Sequence, residues 1–324
     1  MAKLTQEEQE IRQANISKNL RIQADGILRN SVERSYKTNA RYKQAMHRFA
    51  DFLSEHYSLK NIKNVEARHI YAYVSYLQDE DKTPNYIYTD LSAIRCVQTL
   101  SGSKNRLPTN KMLNLDPREK YKFDRAFMTN KFDLLIKVAI EMKRQDVILV
   151  AYIARYFGLR LEEAVTLRIF QIEDAIKYKQ LHITNGKGGQ ERDIPVETKL
   201  QEKILERLIV YAKQNGKHSS QFLVCDDHKH SVKREKAALQ NWMCNHRKKF
   251  TDQNRTQKVA DGKKPKIANP SWHGLRHLYY QEAKEHLKLL GKMSKSEMER
   301  ELSERLGHHR NDVNKYYSND EEDS

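Results

Sequence analysis

Apolar positions recur along this chain mostly every three or four residues, the spacing that places them on one face of a helix. Between Asn39 and His56, Tyr42, Met46, Phe49 and Leu53 fall in that register. Ile70, Val74 and Leu77 do the same across Val65 to Leu77, as do Ile87, Leu91, Ile94 and Val97 across Pro84 to Leu100. These three stripes predict a small helical domain that ends near Ser101-Gly102-Ser103. Ahead of it, Met1 to about Arg29 is charged and Gln-rich with scattered Ile and Leu, which predicts a helical arm that depends on docking for stability. Ser103 to Arg125 holds Pro108, Pro117 and many charges without a sustained period, the pattern of a linker.

A second domain opens near Thr129 with Phe132, Leu135, Ile136 and Ala139 in helical register. A helix from Val147 to Phe157 follows, broken at Gly158, and then a short one over Leu161 to Leu167. Between Gln180 and Val196 the period drops to two. Leu181-His182-Ile183-Thr184 and Glu191 to Val196 flank Asn185-Gly186-Lys187-Gly188-Gly189, a hairpin with a glycine-rich turn and Lys187 at its tip. Further helices are expected over Val196 to Lys213, Trp272 to Leu289, Ser296 to Leu306 and Asp312 to Tyr317, with a short strand at Phe222-Leu223-Val224. The stretch from His228 to Lys266 is strongly basic, and Asp320 to Asp323 form an acidic tail. The fold class is therefore mainly α, with one small antiparallel sheet in the second domain.

Charge narrows the partner. Lys and Arg total 59 against 43 Asp and Glu, a net charge of +16, and a folded chain this basic ordinarily meets a polyanion. No apolar run approaches the roughly 20 residues of a membrane helix, and residues 1–30 lack the apolar core of a signal peptide. Nucleic acid is the expected partner, in the cytoplasm. Three widely spaced cysteines, Cys96, Cys225 and Cys244, fit a reducing compartment rather than a disulfide framework. Lys37, Arg41, Lys43 and Arg48, interleaved with the first apolar stripe, are candidate phosphate contacts. Cys225, His228, His230, Cys244 and His246 could be assembled as a zinc site, but Cys-x-His is tighter than the usual ligand gap and no Cys-x-x-Cys occurs, so no metal is expected.

Candidate chemistry concentrates in the second domain. On a helix His273 and Arg276 stand three residues apart and can address one oxyanion, although a basic chain also produces His-x-x-Arg by chance as a surface pair. Gly158-Leu159-Arg160, followed by Glu162 and Glu163, places an arginine where one helix stops and another starts; taken alone it reads as a surface ion pair. Leu306-Gly307-His308 precedes the pair Tyr316-Tyr317. Tyrosine is an uncommon nucleophile that needs cationic and hydrogen-bonding assistance to attack a phosphodiester.

Order and spacing give these fragments a joint meaning. The order runs from an arginine at a helix junction to a lysine in the next hairpin, then His-x-x-Arg about ninety residues later, Leu-Gly-His, and a tyrosine nine residues beyond His308. The set resembles the tyrosine recombinases, the phage-integrase and Xer-type family. The resemblance spans Thr129 to Tyr317, and the helical region from Tyr36 to Leu100 looks like the family's core-binding domain. It implies a helical arm (1–30), a SAM-like core-binding domain (31–105), a linker (106–127), an α+β catalytic domain (128–318) and an acidic tail (319–324). By the same resemblance, Arg160 and Arg276 clamp the scissile phosphate, His308 donates to it, Lys187 protonates the leaving 5′ oxygen and His273 assists proton transfer. Tyr317 attacks to give a 3′-phosphotyrosyl link. Adjacent residues on a helix point about 100° apart, so only one tyrosine can face the phosphate, and the spacing favours Tyr317 over Tyr316.

The implied function is a site-specific recombinase or integrase of a mobile genetic element, acting on duplex DNA at specific sites as a homotetramer through a Holliday junction. Accessory directionality factors are possible partners, no cofactor or ATP is required, and the location is nucleoid-associated. A type IB topoisomerase-like enzyme, or a DNA-binding protein of the same fold without cleavage activity, are the alternatives. Val313 and Asn314 stand where family members usually carry threonines, and Phe157 where a small polar residue often precedes Gly-Leu-Arg.

Overall fold

The computed structural model describes residues 5–30, 35–116, 126–186, 189–226, 229–251, 256–257, 266–267, 269–291 and 293–307. The expected helix over Asp312 to Tyr317, the acidic tail, Lys187, His308, Tyr316 and Tyr317 lie outside the described residues. Two compact units divide the chain, one within Met1–Lys120 and one within Tyr121–Ser324.

The first unit is built from α1 (Gln6–Arg29), α2 (Tyr36–His56), α3 (Ala67–Asp79) and α4 (Pro84–Leu100), with a 3-10 turn at Ile62–Asn64. The N-terminal arm is one long helix. Thr5 starts it with a capping box to Glu8, and Ile16, Leu20, Ala24 and Leu28 pack onto α2. The three apolar stripes meet in one core, where Met46, Phe49 and Leu53 lie against Ile70, Val74, Leu77, Ile87, Leu91, Ile94 and Val97. Inside this core sits a charge. Asp90 is fully buried and accepts from Arg48 Nη2 at 2.5 Å, Arg48 Nε at 3.2 Å and the Tyr73 hydroxyl at 2.9 Å, satisfying a carboxylate that burial would otherwise penalise.

The second unit is helical around two short antiparallel pairs. Its elements are α5 (Thr129–Glu141), α6 (Gln145–Phe157), α7 (Leu161–Val165), α8 (Ile169–Tyr178), β1 (Gln180–Ile183), β2 (Arg192–Pro195), α9 (Lys199–Gln214), α10 (Lys229–His246), β3 (Thr256–Gln257), β4 (Lys266–Ile267), α11 (Trp272–Leu290) and α12 (Lys295–Arg305). The expected hairpin is β1 and β2, paired Gln180 with Pro195 through Ile183 with Arg192. Alternation along it buries Leu181, Ile183 and Ile194. The structure adds α8, which the sequence reading did not contain, and differs from that reading in four further places. Helix α9 begins at Lys199, beyond Pro195, with Thr198 as its N-cap. The stretch Phe222 to Val224 forms only an isolated bridge with Arg168. The basic segment contains α10, whose Leu239, Trp242 and Met243 enter the core, and β3 with β4 form an additional pair. Among the described residues no helix is long and apolar enough to cross a membrane.

Two adjacent charged residues near the middle of α10 fix it to its neighbours. Lys236 pairs with Glu162 at 2.6 Å, while Glu235 lies against Asp146, which Arg144 holds at 2.5 Å. Burial, then the neighbouring Asp146 carboxylate, push the Glu235 carboxyl up to about 7.

Buried Asp90 and half-buried Glu235 each give a stability effect that can be measured. Asp90→Ala strands a half-buried guanidinium and the Tyr73 hydroxyl and should cost about 2 kcal/mol or more in denaturant unfolding; a loss under about 0.5 kcal/mol would show that the cluster contributes little. Glu235 binds its proton more tightly folded than unfolded, so its contribution is present below the unfolded value and is lost as pH rises through about 7. The stability of Glu235→Gln relative to wild type should therefore grow from pH 5 to pH 8, and a constant difference would contradict the assignment.

Candidate active site

Helix α6 stops at Gly158, whose φ of 63° is left-handed, a conformation that favours glycine. A Cβ there would stand 2.4 Å from the ring of buried Tyr279. The turn is therefore closed against α11 more tightly than any side chain allows. Leu159 is buried, and Arg160 becomes the N-cap of α7.

The first turn of α7 carries Glu163, which the sequence reading treated as a surface partner of Arg160. It is buried, and three arginines converge on it. The Arg160 backbone N–H donates to Oε2 at 2.8 Å and Arg160 Nη1 to Oε1 at 2.8 Å. Arg192 of β2 donates from Nη1 to Oε1 at 3.1 Å and from Nη2 to Oε2 at 2.7 Å. Arg276 Nη1 lies 3.8 Å from Oε2. Burial alone would raise the Glu163 carboxyl; the bonds and charge of Arg192, then those of Arg160, outweigh it and hold it at about 2.

Arg276 is 0% exposed, yet its guanidinium spans three parts of the chain. Nη1 donates to the Gly158 carbonyl at 2.5 Å and Nη2 donates to the Leu306 carbonyl. The helix-stop glycine, the His-x-x-Arg helix and the Leu-Gly-His segment are thus joined through one side chain. Helix α11 is itself held by Ser271, whose hydroxyl accepts from the Gly274 N–H, by the Trp272 indole N–H donating to Leu239 O, and by the Arg155–Glu282 pair to α6. Trp272, Tyr279 and Tyr280 are buried in the core.

His273 and Arg276 do not share an environment despite their spacing. His273 is exposed, with its ring edge-on to buried His277 at 4.9 Å. Arg160 lies at the rim with its side chain 23% exposed, against 2% for Glu163. The structure therefore brings together Arg160, Glu163, Arg192, Arg276 and the backbone of Leu306, one residue before Gly307. Arg192 escaped the sequence reading because its pairing with Glu163 joins positions 29 residues apart. Three guanidinium groups against one carboxylate leave a positive surplus, the electrostatic requirement for holding a phosphodiester whose charge grows during substitution.

In the first unit Lys37 and Arg41 are exposed on α2. Lys43 pairs with Asp25 at 2.6 Å, and Arg48 is committed to Asp90 and stacks on the Tyr86 ring at 4.7 Å. No set of three His, Cys, Asp or Glu among the described residues could hold a metal ion. Cys225 is buried, with its thiol directed to the Val165 carbonyl, while Cys244 is exposed. His228 and the His230 side chain lie outside the described parts.

Lowering pH tests the central carboxylate. Glu163 has a folded value below its unfolded one, so its contribution is present above about 4.5 and is lost as pH falls through about 2. The stability gap between wild type and Glu163→Gln should shrink from pH 6 to pH 2 in urea unfolding; a gap that widens would remove Glu163 from this role.

No family model and no curated protein sequence matches the chain. Solved structures do. A lambda integrase dimer bound to a COC' core site superposes with a TM-score of 0.60 at 17% identity, over 93% of this chain and 94% of that one. The Tn1549 transposon integrase in complex with transposon right end DNA gives 0.59 at 12% identity, over 92% and 94%. A lambda integrase tetramer bound to a Holliday junction gives 0.55 at 16% identity, over 89% and 72%. Gly158-Leu159-Arg160, the hairpin, the helix bearing His273 and Arg276, and the Leu306 turn accordingly sit within a tyrosine recombinase fold.

Proposed function

We propose that this chain is a site-specific DNA recombinase that cleaves and rejoins duplex DNA through a 3′-phosphotyrosyl intermediate. The observation that carries this reading is the convergence of Arg160 and Arg276 on Glu163, beside the carbonyl of Leu306. Two fixed cations approached from separate elements suit the non-bridging oxygens of one phosphate. Both are held by bonds already formed, so little reorganisation is needed as charge develops.

In this scheme the Tyr317 Oη attacks the scissile phosphorus, and the bond to the 5′ oxygen breaks. Lys187 supplies the proton for that leaving oxygen, and His273 assists removal of the proton from the tyrosine hydroxyl. Arg160, Arg276 and His308 stabilise the pentacoordinate state. The phosphotyrosyl bond conserves the phosphodiester energy, so attack by a 5′ hydroxyl from a second duplex reseals the strand without ATP. Guanidinium and ammonium groups supply the charge that a divalent ion would otherwise bring, so a chelator should leave the reaction intact.

The assembly we propose is a homotetramer on two duplexes, passing through a Holliday junction, in a mobile genetic element of the cell's nucleoid. Residues 31–105 form the core-binding domain and 128–318 the catalytic one. Exposed Lys37 and Arg41 serve as phosphate contacts; Lys43 and Arg48 reach DNA only by sharing or leaving their acidic partners. The excess of 59 basic over 43 acidic residues favours the same partner.

The test is adduct formation on nicked suicide duplexes taken from the DNA flanking the gene, in EDTA, resolved on denaturing gels. Wild type and Tyr316→Phe should give a covalent protein–DNA adduct and Tyr317→Phe none, while Arg160→Ala should slow its formation about 100-fold or more. Loss with Tyr316→Phe alone would move the nucleophile by one residue. Demonstrated binding without any adduct would contradict the reading in favour of a non-cleaving DNA-binding protein, and site-independent relaxation of plasmids would favour a topoisomerase.

A further inference from the structure

Arg192 has no part in the scheme above, yet its guanidinium bonds both oxygens of Glu163. Its side chain is 5% exposed and its two Nη atoms meet the two carboxylate oxygens in parallel, the geometry that a guanidinium provides and an ammonium does not. The remaining donor, Nε, reaches the Arg305 carbonyl at 2.9 Å. Arg305 returns the contact from the other side: its guanidinium pairs with Glu197, just after β2, at 2.7 and 2.8 Å, and with Glu301 at 2.7 Å. A Cβ at Gly307 would stand 3.1 Å from Arg192 Cδ. Strand β2 and the end of α12 are stapled together in both directions, and the staple closes on the carboxylate that holds Arg160.

We propose that Arg192 is a positioning residue: by sharing Glu163 with Arg160 it keeps that carboxylate from engaging Arg160 in full and from drawing in Arg276, so that both can turn charge toward an incoming phosphate, while it fixes the hairpin strand and the end of α12 against them. The inference rests on the recombinase reading. Its physical basis is the ratio of charges. With Arg192 in place, three cations surround one anion; without it, Glu163 is a buried carboxylate with both oxygens undersupplied. Such a group draws on whatever donors remain within reach. Those donors are Arg160, already at 2.8 Å, and Arg276 at 3.8 Å. Arg160 would be held by the carboxylate without competition, Arg276 would be drawn toward it, and the local positive surplus would fall from two charges to one.

This mechanism differs from a packing role in one measurable way. If the damage caused by losing Arg192 is an uncompensated Glu163, then removing that carboxylate's charge should repair it. Packing and bridging losses, by contrast, should accumulate.

The experiment measures single-turnover adduct formation on the nicked suicide duplex for wild type, R192Q, E163Q and R192Q/E163Q. Duplex affinity is followed by gel shift and folding by thermal melting. R192Q should slow the adduct about 10-fold or more, and E163Q introduced into that background should recover most of the loss, a coupling of the size that contacting charged residues show. Duplex affinity should change less than about threefold, because most of the phosphate contacts elsewhere are untouched. R192K, which keeps a charge beside Glu163 but not the parallel pair, should lie between wild type and R192Q. Where R192Q does not fold, R192M and R192M/E163Q replace it, with the same recovery expected. A double variant as slow as the product of the two single losses, or an R192Q rate equal to wild type, overturns the proposal while leaving the recombinase reading intact. Absence of any adduct from wild type overturns both.

Discussion

A buried carboxylate facing three guanidinium groups organises the second unit. Glu163 sits in the first turn of α7, and around it gather Arg160 from the same turn, Arg192 from β2 and Arg276 from α11. Placing this much charge out of water is costly, and it is tolerable only because each group finds partners from a different part of the chain. Arg276 meets two backbone carbonyls that end or follow helices, and such carbonyls lack intrahelical donors. The polar cluster therefore also satisfies the backbone at Gly158 and Leu306. Disturbing one member exposes several unsatisfied groups at once, which ties the geometry of the site to the integrity of the unit.

The fold was legible where a period is sustained. The stripes of α2, α3 and α4 are buried as their spacing requires, and the change of period at Gln180 marks the hairpin. Helix α10 was hidden because its core residues Leu239, Trp242 and Met243 are confined to one half of a strongly charged segment. Helix α8 follows α7 without glycine or proline between them, so Ile169 and Ile172 had no punctuation to set them apart. Two-residue strands such as β3 and β4 carry no readable pattern at all.

The site was legible as a set of residue types in order, and less so as a geometry. Spacing put His273 and Arg276 on one helical face; tertiary packing then buried the arginine and left the histidine exposed. Glu163 looked like a solvent-exposed counter-ion because nothing local reports burial. Beyond Arg160, its partners come from β2 and α11, and only the folded chain brings them near. Comparable structures of integrases on DNA, at 12 to 17% identity, share the architecture across most of the chain. At that distance the cluster around Glu163 must be judged on its own chemistry.

The proposed function makes a definite demand: the surplus charge of Arg160 and Arg276 must meet the phosphate that the scheme cleaves. The most direct measurement is a structure of the protein on a nicked duplex with vanadate bound in place of the scissile phosphate, since vanadate adopts the trigonal bipyramid of the reaction. The account predicts guanidinium nitrogens of both arginines within about 3 Å of equatorial oxygens, with the Tyr317 oxygen apical and Glu163 still held by Arg192. Vanadate bound away from these arginines, or any group other than a tyrosine at the apical position opposite the DNA 5′ oxygen, would contradict it.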